Sequence, residues 1–129
     1  MTNFAHMKEE HKTGTEGEEA TVKHLRTLGY EILETNWRFG QEEIDIIAAQ
    51  KDLLVVVEVK TRSSTAFGEP EVFVNRQKQK HLIKAADAYL HKNRLGLEVR
   101  FDIASVLKKG DSYQVTIIEN AFYPILSRR

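Results

Sequence analysis

Two acidic residues interrupt the most apolar stretches of this 129-residue chain, and a lysine follows one of them two positions on. Asp45 sits inside EIDII at 43–47, and Glu58 inside LLVVVEVK at 53–60, where Lys60 ends the run. Side chains of an extended strand alternate between faces, so Leu54, Val56, Glu58 and Lys60 point one way and Leu53, Val55, Val57 and Val59 the other. A carboxylate in so apolar a setting costs several kcal/mol to desolvate unless it is paired or bound to a metal. An edge position, with Glu58 meeting solvent or pairing with Lys60, fits the same pattern. Asp45, on the face opposite Ile44 and Ile46, breaks a β-branched run that disfavours Asp, and reads as a ligand or as a strand-end acid. Antiparallel pairing about Gln50 to Asp52, in a register that the sequence leaves open, would bring Asp45 toward Glu58, and two converging carboxylates make an oxygen site for a hard cation such as Mg2+ or Mn2+. Glu18 is the third acid. It shares a helical stripe with Val22 and Leu25 and so points at the sheet, although an acid in a first helical turn also interacts favourably with the helix dipole.

The elements that must position these groups follow from periodicity. A helix is expected from Gly17, with Val22, Leu25 and Leu28 on its apolar face and Gly29 as a left-handed stop. Strands are expected over Tyr30–Trp37, Glu43–Ala49 and Leu53–Lys60, the last being apolar enough to be central. A loop over 61–75 leads to a helix over Arg76–Asn93 with Leu82, Ala86, Tyr89 and Leu90 inward, then strands over Val99–Leu107 and Tyr113–Glu119 about a Lys-Gly-Asp turn. The order α-β-β-β-α-β-β predicts one α/β domain over 17–122, between a polar mobile tail at 1–16 and a C-terminal tail at 123–129. Phe122, Tyr123 and Pro124 are expected to pack on the core.

Composition narrows the function classes. The chain has no cysteine, which excludes disulfides, thiolate zinc and a cysteine nucleophile, and leaves oxygen or imidazole ligands for any metal. No apolar run approaches the roughly 18 residues that span a bilayer, and the opening MTNFAHMKEEHKTGTE holds no signal-peptide core, so a cytoplasmic protein is expected. Lys and Arg number 19, as do Asp and Glu, so net charge gives no argument for nucleic acid. Distribution does. Between residues 76 and 94 stand Arg76, Lys78, Lys80, Lys84, Lys92 and Arg94 against Asp87 alone, a basic strip on the outer face of the second helix. His24, His81 and His91 lack ligand spacing and read as surface residues.

Glu18 on a first helix, Asp45 on a second strand and Glu58-Val59-Lys60 on a third resemble the core of the PD-(D/E)xK nucleases, and the element order resembles their restriction-endonuclease-like α-β-β-β-α-β scaffold, a central mixed sheet flanked by helices. Longer matches, GEEA at 17–20, GYEIL at 29–33, Asn36, EIDII at 43–47, VVEVKTR at 56–62 and RFDIA at 100–104, resemble the YraN family (UPF0102), small bacterial proteins similar to archaeal-type Holliday-junction resolvases. The resemblance covers about residues 14–122. Two departures stand out: GQEEID carries two residues, Gln41 and Glu42, between its glycine and EID, and Ile44 stands where the motif's proline would be.

The resemblance implies a metal-dependent endonuclease hydrolysing DNA phosphodiesters at junctions or branched DNA. In it Asp45, Glu58, the Val59 carbonyl and Glu18 hold Mg2+ or Mn2+, Lys60 orients or activates the attacking water, and a homodimer matches the two-fold symmetry of a junction. Arg62, Arg76, Lys78, Lys80 and Lys84 are the expected phosphate contacts, sequence-independent by nature. Two other readings use the same residues: a nucleic-acid-binding adaptor that does not cleave, and a protein-interaction module whose acids pair with Lys60 and arginines. Asp102, flanked by Arg100 and Phe101, reads as a structural partner of Arg100 or, less readily, as a residue that supports the metal ligands from behind.

Overall fold

In the computed structural model the described backbone covers residues 4–63 and 74–122, with side chains described from residue 15 onward. The elements run α1 (Phe4–Thr27), β1 (Glu31–Phe39), β2 (Glu42–Gln50), β3 (Leu53–Arg62), α2 (Arg76–Lys92), β4 (Glu98–Lys109) and β5 (Ser112–Phe122). The strands form one sheet in the order β1-β2-β3-β4-β5, antiparallel except for the β3–β4 pair, which α2 connects. This is the expected α/β class, a mixed sheet flanked by helices. No helix among the described residues is long and apolar enough to cross a membrane.

Strand alternation divides the core. Leu54 and Val56 of β3 pack with Leu82, Ala85, Ala86 and Tyr89 of α2, Phe101 and Ile103 of β4, and Phe122. Val55 and Val57 pack with Leu25 of α1, Tyr30, Ala104 and Val106. A strand apolar on both faces must be covered on both, which is why β3 is central and the helices lie on opposite sides.

Three expectations are corrected. Helix α1 begins at Phe4, ahead of Gly17, so helical backbone covers most of the segment expected to be a tail; Ala, Met, Lys and Glu there favour helix without forming the apolar stripe that a periodicity search needs. Leu28 is 51% exposed, because the helix ends at Thr27 and Gly29, at φ +92°, turns the chain away. The stop itself forms as expected: Gly29 N–H donates to the Arg26 carbonyl and Tyr30 N–H to that of Leu25, at 3.0 and 3.1 Å. Third, Ile44 and Ile46 do not share a face. Ile44 packs on the α2 side and Ile46 on the α1 side, so alternation slips at Asp45. Of the two residues between the glycine and EID in GQEEID, Gln41 falls in a tight turn and Glu42 opens β2, paired to Phe39 across Gly40 and Gln41. Tyr123, Pro124 and the C-terminal tail lie outside the described residues, while Phe122 packs on the core as expected.

Candidate functional site

β2 and β3 are paired from Gln50↔Leu53 to Ile46↔Val57, and one further step in that register sets Asp45 opposite Glu58. There a side chain takes over from the backbone ladder: Val59 N–H donates to Asp45 Oδ2 at 2.8 Å. Asp45 is thereby tied to the strand that carries Glu58 and Lys60. Glu58 lies on the α2 face with only 15% of its side chain exposed, and Lys78 Nζ of α2 stands 3.9 Å from its Oε2. Its other oxygen, Oε1, is buried and has no hydrogen-bond partner among the described residues.

Electrostatics single out this pair. Burial pushes the Glu58 carboxyl up to about 7, and neighbouring Asp45 pushes the same way, while Lys78 and then Lys60 oppose and Glu18 adds a small further rise. Asp45 is raised as well, by burial first, against the Val59 hydrogen bond and the fields of Lys78 and Lys60. Two acids that resist ionisation at one place, one with an orphaned oxygen, form a centre short of positive charge.

That shortage is the test of fit for a divalent cation. Asp45, Glu58 and the Val59 carbonyl are hard oxygen donors, and Mg2+ commonly takes one or two carboxylates and fills its remaining positions with water and phosphate. The residues fit. Among the described residues no group of three or more His, Cys, Asp or Glu is arranged to share one ion. Glu18 therefore belongs to the centre by its field on Glu58. It also borders an open groove of about 1180 Å³, lined by α1 together with Asn36, Lys108 and Tyr113.

Glu18 is brought in by a close approach of helix to strand. Gly17 is buried, and a Cβ there would overlap Thr61 Oγ1 and meet Thr61 Cβ at 3.1 Å. Only a glycine lets α1 lie this near the end of β3, although glycine inside a helix costs roughly 0.5–1 kcal/mol relative to alanine. The buried Thr21 hydroxyl donates to the Gly17 carbonyl at 2.8 Å, and Tyr113 of β5 donates to Glu16. Thus α1 is fixed on either side of Glu18.

The basic strip divides. Arg76, Lys80 and Lys84 are exposed as expected, and Arg62 is half-buried at the end of β3. Lys78 turns inward to Glu58 and is corrected from outer-face cation to member of the centre. Its spacing carried the signal, since Lys78 lies four residues before Leu82 and eight before Ala86, on the inward stripe. His81 is also held, its Nδ1 2.9 Å from Glu42 Oε2 at the start of β2. Asp102 is fully paired: Arg100 donates to both its oxygens at 2.9 Å and to Tyr30 Oη at 2.6 Å, and Asn120 N–H reaches Oδ1 at 3.1 Å. The structural role expected for it is what the geometry gives.

Fold and centre together define a class: an α/β protein whose mixed sheet gathers two part-buried carboxylates and two lysines where two of its strands part. The chain belongs to the uncharacterised protein family UPF0102, whose family model matches residues 17–106. It is similar to a UPF0102 protein of Flavobacterium psychrophilum, 48% identical over 117 residues that cover 91% of this chain and 98% of the relative. UPF0102 proteins of Bacteroides thetaiotaomicron and Phocaeicola vulgatus are 44% and 42% identical, covering 93% and 92% of this chain and 99% and 98% of theirs.

Proposed function

We propose that the chain is a divalent-metal-dependent endonuclease of the cytoplasm that hydrolyses DNA phosphodiesters, with branched or junction DNA as its substrate. The observation that carries this reading is the pair Asp45 and Glu58, converging, part-buried and short of positive charge, beside Lys60 and Lys78. The order of Glu18, Asp45, Glu58 and Lys60 along the chain, resembling the PD-(D/E)xK pattern, supplies the reaction class.

Asp45 and Glu58, with the Val59 carbonyl, would hold Mg2+ or Mn2+, and Glu18 would act on that shell from α1. The ion, when bound, supplies Lewis acidity toward a phosphoryl oxygen and lowers the pKa of its water. Lys60 orients the attacking water and offsets the negative charge that grows on phosphorus. One P–O bond forms to the water oxygen and one breaks, leaving a phosphate monoester on one fragment and a hydroxyl on the other. Arg62, Arg76, Lys80 and Lys84 hold the backbone by its phosphates, which makes binding steeply salt-dependent and indifferent to sequence. A homodimer would place two such centres on a two-fold junction.

The test is cleavage of junction, flap, single-stranded and duplex DNA with Mg2+ or Mn2+, wild type beside Lys60→Ala and Glu58→Ala. Cation-dependent cleavage that falls by about 100-fold or more in both variants supports the reading, that being the usual scale of losing a charge-stabilising group. Cleavage that survives both substitutions overturns the assignment, and tight DNA binding without cleavage replaces it with the adaptor reading.

A further inference from the structure

Helix α2 opens against the usual charge preference. Its first turn contains no acid, and Arg76, Lys78 and Lys80 crowd the end where the helix dipole is positive and cations are disfavoured. Lys78 is fixed at that end by its backbone, because its N–H donates to the Asn75 cap at 2.8 Å. An ammonium held there needs compensation, and the side chain finds it across the gap at Glu58.

The contact has an unusual form. At 3.9 Å from Glu58 Oε2 the Lys78 ammonium lies beyond hydrogen-bond length, so it balances the carboxylate by its field and not by a directional bond. It leaves Glu58 Oε1 buried and unpartnered. With 36% of its own side chain exposed, Lys78 has water to move into. Lys78 also opposes the rise at both Asp45 and Glu58 more strongly than Lys60 does. Of these two lysines, the one with the larger effect on the pair is held to Glu58 by no directional bond.

We propose that Lys78 is the resident counter-ion of the Asp45–Glu58 centre, a positive charge that a divalent cation must displace or tolerate in order to bind. The inference rests on the metal-site reading above and adds a positioning residue that sets cation affinity. Lys78 reaches the pair from α2 with part of its side chain in solvent, so a divalent cation held by Asp45 and Glu58 would take over its role as counter-charge.

The experiment is Mn2+ binding to the full-length protein by calorimetry at low ionic strength, without DNA, for wild type, Lys78→Gln, Lys78→Arg and the distant exposed control Lys51→Gln. Lys78→Gln is expected to tighten Mn2+ by about three- to tenfold, the gain shrinking with added salt, while Lys78→Arg and Lys51→Gln stay within about twofold of wild type. Equal or weaker binding in Lys78→Gln overturns the proposal, as does equal tightening in Lys51→Gln, which would mark a net-charge effect. If Lys78→Gln tightens Mn2+ but no variant cleaves DNA, the counter-ion assignment stands and the endonuclease reading falls.

Discussion

Asp45 and Asp102 perform the same local repair and end in opposite states. Each accepts a backbone N–H where a strand ladder fails: Asp45 that of Val59 where β2 and β3 part, Asp102 that of Asn120 at the irregularity between β4 and β5. Asp102 is then closed off by Arg100, whose guanidinium satisfies both oxygens and is itself held above its ordinary pKa, chiefly by that hydrogen bond. Asp45 receives a second carboxylate as its neighbour instead. Asp102 is completed by the protein, whereas beside Asp45 the Glu58 Oε1 has no hydrogen-bond partner among the described residues. A satisfied buried charge serves the fold, whereas an unsatisfied one destabilises it and is tolerable where a ligand will be bound.

The contrast can be broken experimentally. Arg100→Ala should be the most damaging change, since removing one member of a buried pair strands the other and costs about 3–5 kcal/mol in denaturant unfolding. Glu58→Gln should do the reverse in cation-free protein. The Glu58 carboxyl titrates near 4.5 when unfolded and at about 7 in the fold, so between these values the folded state binds more protons. Stability therefore falls as pH rises through that window, by on the order of 3 kcal/mol, and the loss is complete above about 7. Glu58→Gln should flatten this slope and raise the melting temperature at pH 8; an unchanged profile would mean that Glu58 is not the strained group.

Gly17→Ala tests how α1 is seated. Overlap with Thr61 should cost about 1–3 kcal/mol despite alanine's better helix propensity, and Thr61→Ala in the same chain, which removes the overlapping Oγ1, should recover part of it. The smallest effect is that of the cation itself. Mn2+ at ten times its dissociation constant should stabilise wild type by about 1.4 kcal/mol at pH 8, measured as a shift in the denaturant midpoint, and should do much less at pH 5, where Glu58 is protonated, or in Glu58→Gln. The same gain in the Gln variant would place the ion elsewhere.

The sequence by itself determined the element order and the central position of β3 through alternation of period two, and it grouped Asp45, Glu58 and Lys60 only through their resemblance to a nuclease core, because each acid taken alone fitted a strand-edge or strand-end role as well. It also carried the stop at Gly29, the pairing of Asp102 with Arg100, and the membership in UPF0102. It did not reveal the early start of α1, where no apolar stripe marks the helix, nor the slip of alternation at Asp45 that parts Ile44 from Ile46. Only the tertiary structure decided that Gly17 presses on Thr61, that Lys78 leaves the basic strip for Glu58, and that Asp102 is paired while Glu58 Oε1 lacks a hydrogen-bond partner among the described residues. The physical reason is range. Hydrophobic periodicity is written over neighbouring residues, but whether a charge is compensated depends on what another element, tens of positions away, brings within a few ångströms.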